Sequence, residues 1–391
     1  MRILSVFGTR PEAIKMAPLV KTLAASPEID SHVIVTGQHD AMLKQVLDLF
    51  GVVPERNLAV MTENQTLNQL SERLLSRLDP VLAYFRPDRV LVHGDTTTAM
   101  VAALAAFQRQ IPVGHVEAGL RTYDVTRPWP EEMNRRIVDV VSDLLFAPTA
   151  HARANLVAER LNGRILVTGN TVIDALMATV ARIEGDVHLR TRLAADLPAL
   201  APERRLILVT GHRRENFGAG FAAICDAIGR LARRRDVEIV FPVHLNPNIR
   251  EVVHARLGGR PNVHLLPPLD YAHFVYLMTR ADVILTDSGG VQEEAPALGK
   301  PVLVMREVTE RPEALEAGTV TLVGTDADAI VAATGELLDS DQARRRFAAR
   351  TNPYGDGHAA ERIVDCLLGR PVSEFQPSVQ PVRHDPVGLT G

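Results

Sequence analysis

The chain reads as an α/β protein built from two Rossmann-like, doubly wound lobes that face a central cleft. Three observations predict this. Short apolar runs alternate with helical patterns from one end to the other. Most of these runs are continuously apolar, as strands buried on both faces of a parallel sheet are. They also fall into two series of similar size, and each series opens with a strand that ends in glycine and a basic turn. The first reads Val6-Phe7-Gly8-Thr9-Arg10-Pro11-Glu12 and the second Val209-Thr210-Gly211-His212-Arg213-Arg214-Glu215.

Taken in order, the first series predicts strands at Arg2–Phe7, His32–Thr36, Arg89–His93, Pro112–Val116, Leu144–Ala147 and Arg164–Thr168. The second predicts Arg205–Thr210, Val237–Phe241, Val263–Leu265, Asp282–Thr286, Pro301–Val304 and Thr319–Val323. Helical patterns such as Thr97–Gln108 and Phe221–Arg234 fit the right-handed crossovers between parallel strands. We expect an N-terminal lobe over 1–170 and a second lobe over 171–358, with surface helix and linker at 184–202. Residues 371–391 carry prolines and no long apolar period, and are expected to form an extended or mobile tail.

Composition narrows the function classes. A length of 391 residues suits two or three domains at roughly 150 residues each. The 46% hydrophobic and 23% charged fractions exclude disordered, collagen-like and coiled-coil chains. The longest clean apolar run, Ala99 to Phe107, falls well short of the roughly 20 residues that span a membrane. A formal net charge of −4 supplies no basic field for nucleic acid, and 4% aromatics disfavour a stacking platform for single strands. Cys225 and Cys366 have neither disulfide nor metal-ligand spacing. The N-terminus turns polar too soon for a secretory signal. The expectation is a cytoplasmic enzyme with no membrane or nucleic-acid partner and no metal.

Open parallel sheets bind ligands beyond the carboxyl ends of their strands, so the residues just after each strand carry the functional reading. Pro11 opens a helix, and its N-terminus, with Arg10 and Lys15, can clamp a diphosphate; the alternative is an exposed basic turn. No GxGxxG follows this strand, which argues against a nicotinamide or flavin cofactor. Asp95 follows the third strand as a candidate acid/base group or a plain helix cap. Glu117 stands directly at a buried strand end, where desolvation is expected to raise its pKa toward useful proton transfer. Glu131 lies in the first turn of a helix opened by Pro130, as a catalytic acid or a dipole partner, and Trp129 marks a shaped loop.

The second lobe offers His212, between glycine and arginine, as a histidine expected to titrate near neutrality and deliver a proton. Ser288-Gly289-Gly290 opens a helix with backbone N–H groups free for an oxyanion, or serves as a simple cap. Glu294 lies further along that helix, where it can accept ribose hydroxyls. Arg311-Pro312-Glu313 repeats the opening at Arg10-Pro11-Glu12.

These motifs resemble the non-hydrolysing UDP-N-acetylglucosamine 2-epimerases. The resemblance rests on Phe7-Gly8-Thr9-Arg10-Pro11-Glu12-Ala13-Ile14-Lys15, His93-Gly94-Asp95-Thr96, His115-Val116-Glu117-Ala118-Gly119-Leu120-Arg121-Thr122 and Pro130-Glu131-Glu132-Met133-Asn134-Arg135. It also rests on Thr210-Gly211-His212-Arg213-Arg214-Glu215-Asn216 and Thr286-Asp287-Ser288-Gly289-Gly290-Val291-Gln292-Glu293-Glu294-Ala295, and it runs in register over roughly residues 1–365. It implies the glycosyltransferase type B fold, with a final helix near Ala359–Leu368 crossing back to the first lobe. It implies interconversion of UDP-GlcNAc and UDP-ManNAc by anti elimination of UDP, a 2-acetamidoglucal intermediate and re-addition, without cofactor. The product usually feeds bacterial surface polysaccharide synthesis, and the usual assembly is a homodimer.

By position, the resemblance implies that Asp95, Glu117, Glu131 and His212 are catalytic. It makes Arg10, Lys15, Arg213, Ser288, Gly289, Gly290, Glu294 and Arg311 nucleotide ligands, with Phe274 near the uracil. Three other readings compete: a hydrolysing epimerase that releases UDP and N-acetylmannosamine, a sugar transferase of the same fold, and an inactive sugar-nucleotide sensor. Clustered acids on the first lobe disfavour the transferase, and a complete catalytic set disfavours the sensor.

Gln38, His39, Gln65 and His244 resemble parts of a second, allosteric UDP-GlcNAc site. Ala41 and Asn64 stand where the resemblance implies glutamine and arginine. Weakened or absent homotropic activation is therefore expected. Initial rates from UDP-ManNAc alone should be hyperbolic, and a strict requirement for added UDP-GlcNAc would contradict this.

Overall fold

The apolar runs form thirteen strands in a computed structural model, which describes residues 1–37 and 40–377. The first seven are β1 (Arg2–Phe7), β2 (Asp30–Val35), β3 (Arg56–Asn57), β4 (Arg89–His93), β5 (Val113–Val116), β6 (Leu144–Ala147) and β7 (Arg164–Val167). The other six are β8 (Arg205–Thr210), β9 (Val237–Pro242), β10 (Val263–Leu266), β11 (Val283–Thr286), β12 (Val302–Val304) and β13 (Val320–Leu322). All twelve expected strands are present within a few residues of their expected ends. The addition is β3, a two-residue edge pairing on β2 that is too short to leave an apolar pattern.

Two wholly parallel sheets result, ordered β3-β2-β1-β4-β5-β6-β7 and β10-β9-β8-β11-β12-β13. Each starts in the middle, winds outward, then returns to the other side of its first strand. The order reverses between β1 and β4 in one sheet and between β8 and β11 in the other. Such switch points open a crevice at the strands' carboxyl ends, where the intervening helices diverge. The residues singled out after β1, β4, β8 and β11 therefore stand at two equivalent crevices. This is the type B glycosyltransferase architecture.

Close packing sculpts the first crevice. A Cβ on Gly8 would collide with the hydroxyls of Thr36 and Thr98, so only glycine lets the chain leave β1 here. Thr9 then caps the Arg10–Ala25 helix in a capping box with Glu12. Glu12 accepts from the N–H groups of Gly8 (3.1 Å) and Thr9 (2.7 Å) and from the Thr96 hydroxyl (2.7 Å). One buried carboxyl thus ties the turn after β1 to the turn after β4, and burial pushes it above its ordinary pKa.

The two sheets are not independent bodies. One apolar core runs from Phe7 and Phe146 through Met16, Ile173 and Ile363 to Ile284 and Val304. The Thr171–Gly185 helix packs against the Arg10–Ala25 helix on one side and against the Tyr271–Arg280 and Gly289–Ala297 helices on the other. The final Ala359–Leu367 helix lies on the Arg10–Ala25 helix, and its Ala360 N–H donates to Asp174 at 2.8 Å. Residues 371–377 form neither helix nor strand, and Phe375 among them is buried with its N–H bonded to the Val167 carbonyl at 2.8 Å. The rest of the tail, 378–391, lies outside the described residues.

A buried charge cluster sets the β4 and β5 ends. The fully buried Asp139 carboxylate bonds His115 Nδ1 at 2.6 Å and pairs with Arg121 at 2.7 Å. His115 Nε2 reaches the Gly94 carbonyl at 2.8 Å, which fixes the backbone beside Asp95. Asp139→Ala leaves Arg121 buried with one fewer counterion. Urea denaturation should show a loss of about 3 to 5 kcal/mol, and a loss within experimental error would show that the cluster does not hold this corner.

Candidate active site

The first wall of the cleft rises from β1, β4 and β5. Glu117 follows β5 with a left-handed backbone (φ 68°), a strained choice for a residue other than glycine. Its buried carboxylate pairs with Lys15 from the Arg10–Ala25 helix, and His93 Nε2 lies 3.7 Å away. Burial alone would raise the Glu117 carboxyl, but Lys15 and His93 outweigh burial and hold it well below the usual carboxylate range. This corrects the expectation of a raised pKa. Desolvation acts as anticipated, but a lysine 102 residues away in sequence reverses its effect.

Asp95 does not cap the following helix; Thr96 does, accepting from Ala99 N–H at 3.0 Å. Asp95 instead pairs with Arg135, while Asn134 holds its carbonyl at 2.9 Å. Glu131 and Glu132 divide their roles. Glu132 is fully buried and accepts from the N–H groups of Thr122 (3.0 Å) and Tyr123 (3.1 Å), so it shapes the loop. Glu131 is half-buried and makes no hydrogen bond or ion pair among the described residues, which leaves its carboxylate for a ligand.

The second wall is organised by Asp287. This buried carboxylate, just after β11, accepts from the N–H groups of His212 (2.9 Å) and Arg213 (2.9 Å) and fixes the turn after β8. His212 Nδ1 stands 3.4 Å from the same carboxylate, and its ring stacks on His244 at 5.9 Å between centroids. Partial burial lowers the His212 imidazole, Asp287 opposes this, and Arg213 and His244 reinforce it.

Ser288 occupies the N-cap position of the Gly289–Ala297 helix, but its side chain makes no capping bond. A Cβ on Gly289 would lie 3.5 Å from the Arg311 guanidinium and 3.6 Å from that of Arg213, so two cations flank this open helix start. Further along, Glu294 accepts from the buried Tyr271 hydroxyl at 2.6 Å. Burial pushes the Glu294 carboxyl up to about 7, against that hydrogen bond and the nearby Lys15 and Arg10.

Hydrogen bonds among the described residues join the walls. Arg10 donates to the Leu269 carbonyl at 3.0 Å. Asn170 donates to Glu117 at 2.8 Å and to Glu293 at 2.9 Å, and Glu293 pairs with Arg311. Arg10, Lys15, Glu117, Arg213, Gly289, Glu294 and Arg311 therefore belong to one connected region. Cations and an unfilled helix N-terminus there suit a diphosphate, with carboxylates beside them for proton transfer.

Phe274 is half-buried on the Tyr271–Arg280 helix and packs against the shared core. Gln65 bonds Thr62 (3.2 Å) and Arg73 (2.7 Å) in the approach to the Leu67–Phe85 helix, and among the described residues no hydrogen bond links it to His244. Gln38 and His39 lie outside the described residues. The strand-end reading missed Asn170, Glu293 and Asp287. Asn170 was the most accessible of these, because Thr168-Gly169-Asn170 follows β7 just as the other site segments follow their strands.

The chain is similar to known proteins over nearly its whole length. A family model described as UDP-N-acetylglucosamine 2-epimerase matches residues 21–368. The UDP-N-acetylglucosamine 2-epimerase of Escherichia coli (strain K12) is 53% identical over 375 residues, 95% of this chain and 100% of that protein. The UDP-GlcNAc 2-epimerase of Neisseria meningitidis, solved bound to UDP-GlcNAc, matches with a TM-score of 0.87 at 47% identity, over 95% of this chain and 100% of that one. The Methanocaldococcus jannaschii UDP-GlcNAc 2-epimerase, solved with UDP-GlcNAc and UDP, matches with a TM-score of 0.78 at 33% identity, over 94% of this chain and 100% of that one.

The raised Glu294 carboxyl gives a signed pH dependence. Between its ordinary value and about 7 the folded protein keeps a proton that the unfolded chain has released. Wild-type stability therefore falls across that window relative to Glu294→Gln, which carries no such charge. Urea denaturation at pH 5 and pH 8 should shift the difference in the variant's favour by up to about 3 kcal/mol. A difference that does not change with pH would contradict this.

Proposed function

The chain belongs to the UDP-N-acetylglucosamine 2-epimerase family, an isomerase family, and we propose that it is of the non-hydrolysing kind, interconverting UDP-GlcNAc and UDP-ManNAc. The C2 proton of the sugar is not adjacent to a carbonyl, so a base alone cannot invert that centre. Breaking the anomeric C1–O bond first develops oxocarbenium character and makes the C2 proton removable. UDP leaves with the bonding pair, a carboxylate takes the C2 proton, and a C1=C2 double bond forms. The resulting 2-acetamidoglucal accepts a proton on its other face, and a UDP oxygen re-forms the bond to C1.

The observation that carries this reading is the Lys15–Glu117 pair, one Asn170 amide away from the Glu293–Arg311 pair. It sets a proton-transfer carboxylate beside cations suited to a departing diphosphate, as elimination requires. In this proposal Arg10, Lys15, Arg213, Arg311 and the helix start at Ser288–Gly290 hold the diphosphate. Glu294 receives the ribose, and Phe274 lies toward the base. Asp95, Glu117, Glu131 and His212 form the catalytic set. The lobes, taken as 1–170 and 171–358, close on the substrate and retain the glycal away from water.

Incubation with UDP-GlcNAc in heavy water tests the proposal. UDP-ManNAc carrying deuterium at C2 should appear without added NAD or metal. Epimerised product lacking solvent deuterium would refute the proton exchange, and stoichiometric release of UDP with free N-acetylmannosamine would identify the hydrolysing reaction instead.

A further inference from the structure

We propose that Asn170 is a positioning residue whose side-chain amide ties Glu117 to Glu293, keeping the Glu117 carboxylate in place when an incoming diphosphate draws Lys15 and Arg311 away. The inference rests on the epimerisation reading and extends it to a residue outside the sets assigned above to the nucleotide and to proton transfer.

The amide can be oriented in only one way. Asn170 Oδ1 accepts from the Val172 N–H at 3.1 Å and caps the Thr171–Gly185 helix. Nδ2 must therefore face the cleft, and its two hydrogens go to Glu117 Oε2 at 2.8 Å and Glu293 Oε2 at 2.9 Å. The residue is buried, and its own N–H is held by the Tyr354 carbonyl at 2.6 Å. Glu293 is anchored in turn, because its carbonyl accepts from Asn352 at 2.8 Å.

Charge explains why such a tie is needed. Lys15, Glu117, Glu293 and Arg311 form a neutral set in which each carboxylate has its own cation. A diphosphate is a stronger competitor for both cations than one carboxylate is. As Lys15 and Arg311 turn to it, the nearly buried Glu117 carboxylate and the buried Glu293 carboxylate keep His93 and the Asn170 amide beside them. Without the amide they repel and Glu117 swings out of line. With it, Glu117 stays aimed while losing the lysine that had kept it a poor proton acceptor. Arrival of the leaving group thereby arms the carboxylate.

Two variants separate this role from a merely structural one. Asn170→Ser keeps an oxygen able to cap the helix but loses both donors. Asn170→Asp keeps the cap and the shape but adds a third carboxylate. Each should lower kcat by about 100-fold with little change in KM and move the acid limb of kcat, which reports the bound complex, to higher pH by about one unit. Asn170→Ser should do so at a melting temperature near that of wild type, whereas Asn170→Asp, which buries a third carboxylate, should melt lower. Asn170→Asp should show the larger shift. Wild-type epimerisation with solvent deuterium, combined with variants within threefold of its kcat, would overturn the positioning role alone. So would lost activity that tracks lost folded protein with an unmoved acid limb. Failure of wild-type protein to exchange deuterium would instead fault the epimerisation reading.

Discussion

The buried pairing of Lys15 with Glu117 sets the conditions for the rest of the cleft. A carboxylate at a buried strand end cannot stand charged without a partner, because desolvation costs more than isolated hydrogen bonds return. Lys15 meets that need from a different element, and in the second lobe its counterpart Arg311 does the same for Glu293. In the proposed reaction both cations also belong to the leaving group. On that proposal the site is built around charges with two alternative partners, and its electrostatics change when substrate arrives.

The fold supplies this arrangement through its two switch points. At each, one acid is committed to the backbone: Glu12 to the turn after β1 and Asp287 to the turn after β8. Those acids are spent on shape. The acids left for chemistry face cations, as Glu117 and Asp95 do, or face nothing within the described chain, as Glu131 does. Two similar half-sites are then welded by a continuous core along the Thr171–Gly185 helix, at whose N-cap Asn170 sits.

Most of the fold is legible in the sequence, because buried parallel strands leave uninterrupted apolar runs. The two-residue β3 escapes for want of any such run. The candidate site is legible wherever its residues follow a strand, which covers Arg10, Asp95, Glu117, His212 and Ser288. What stays hidden is pairing across long separations. Nothing local marks Lys15 as the partner that reverses the effect of burial on Glu117, and nothing local distinguishes Glu293, which bridges the lobes, from its neighbour Glu294. Asn170 resembles an ordinary helix cap until both of its amide hydrogens are traced to carboxylates. Asp95 resembles a cap and is not one, because Thr96 lies one residue closer to the helix.

Isothermal titration of UDP into Glu117→Gln protein tests the shared-cation account most directly. If Glu117 competes with the diphosphate for Lys15, removing its charge should tighten UDP binding by about tenfold, a gain of about 1.4 kcal/mol, even as turnover is lost. UDP binding that is unchanged or weaker would show that Lys15 is not divided between the two, and would contradict the account.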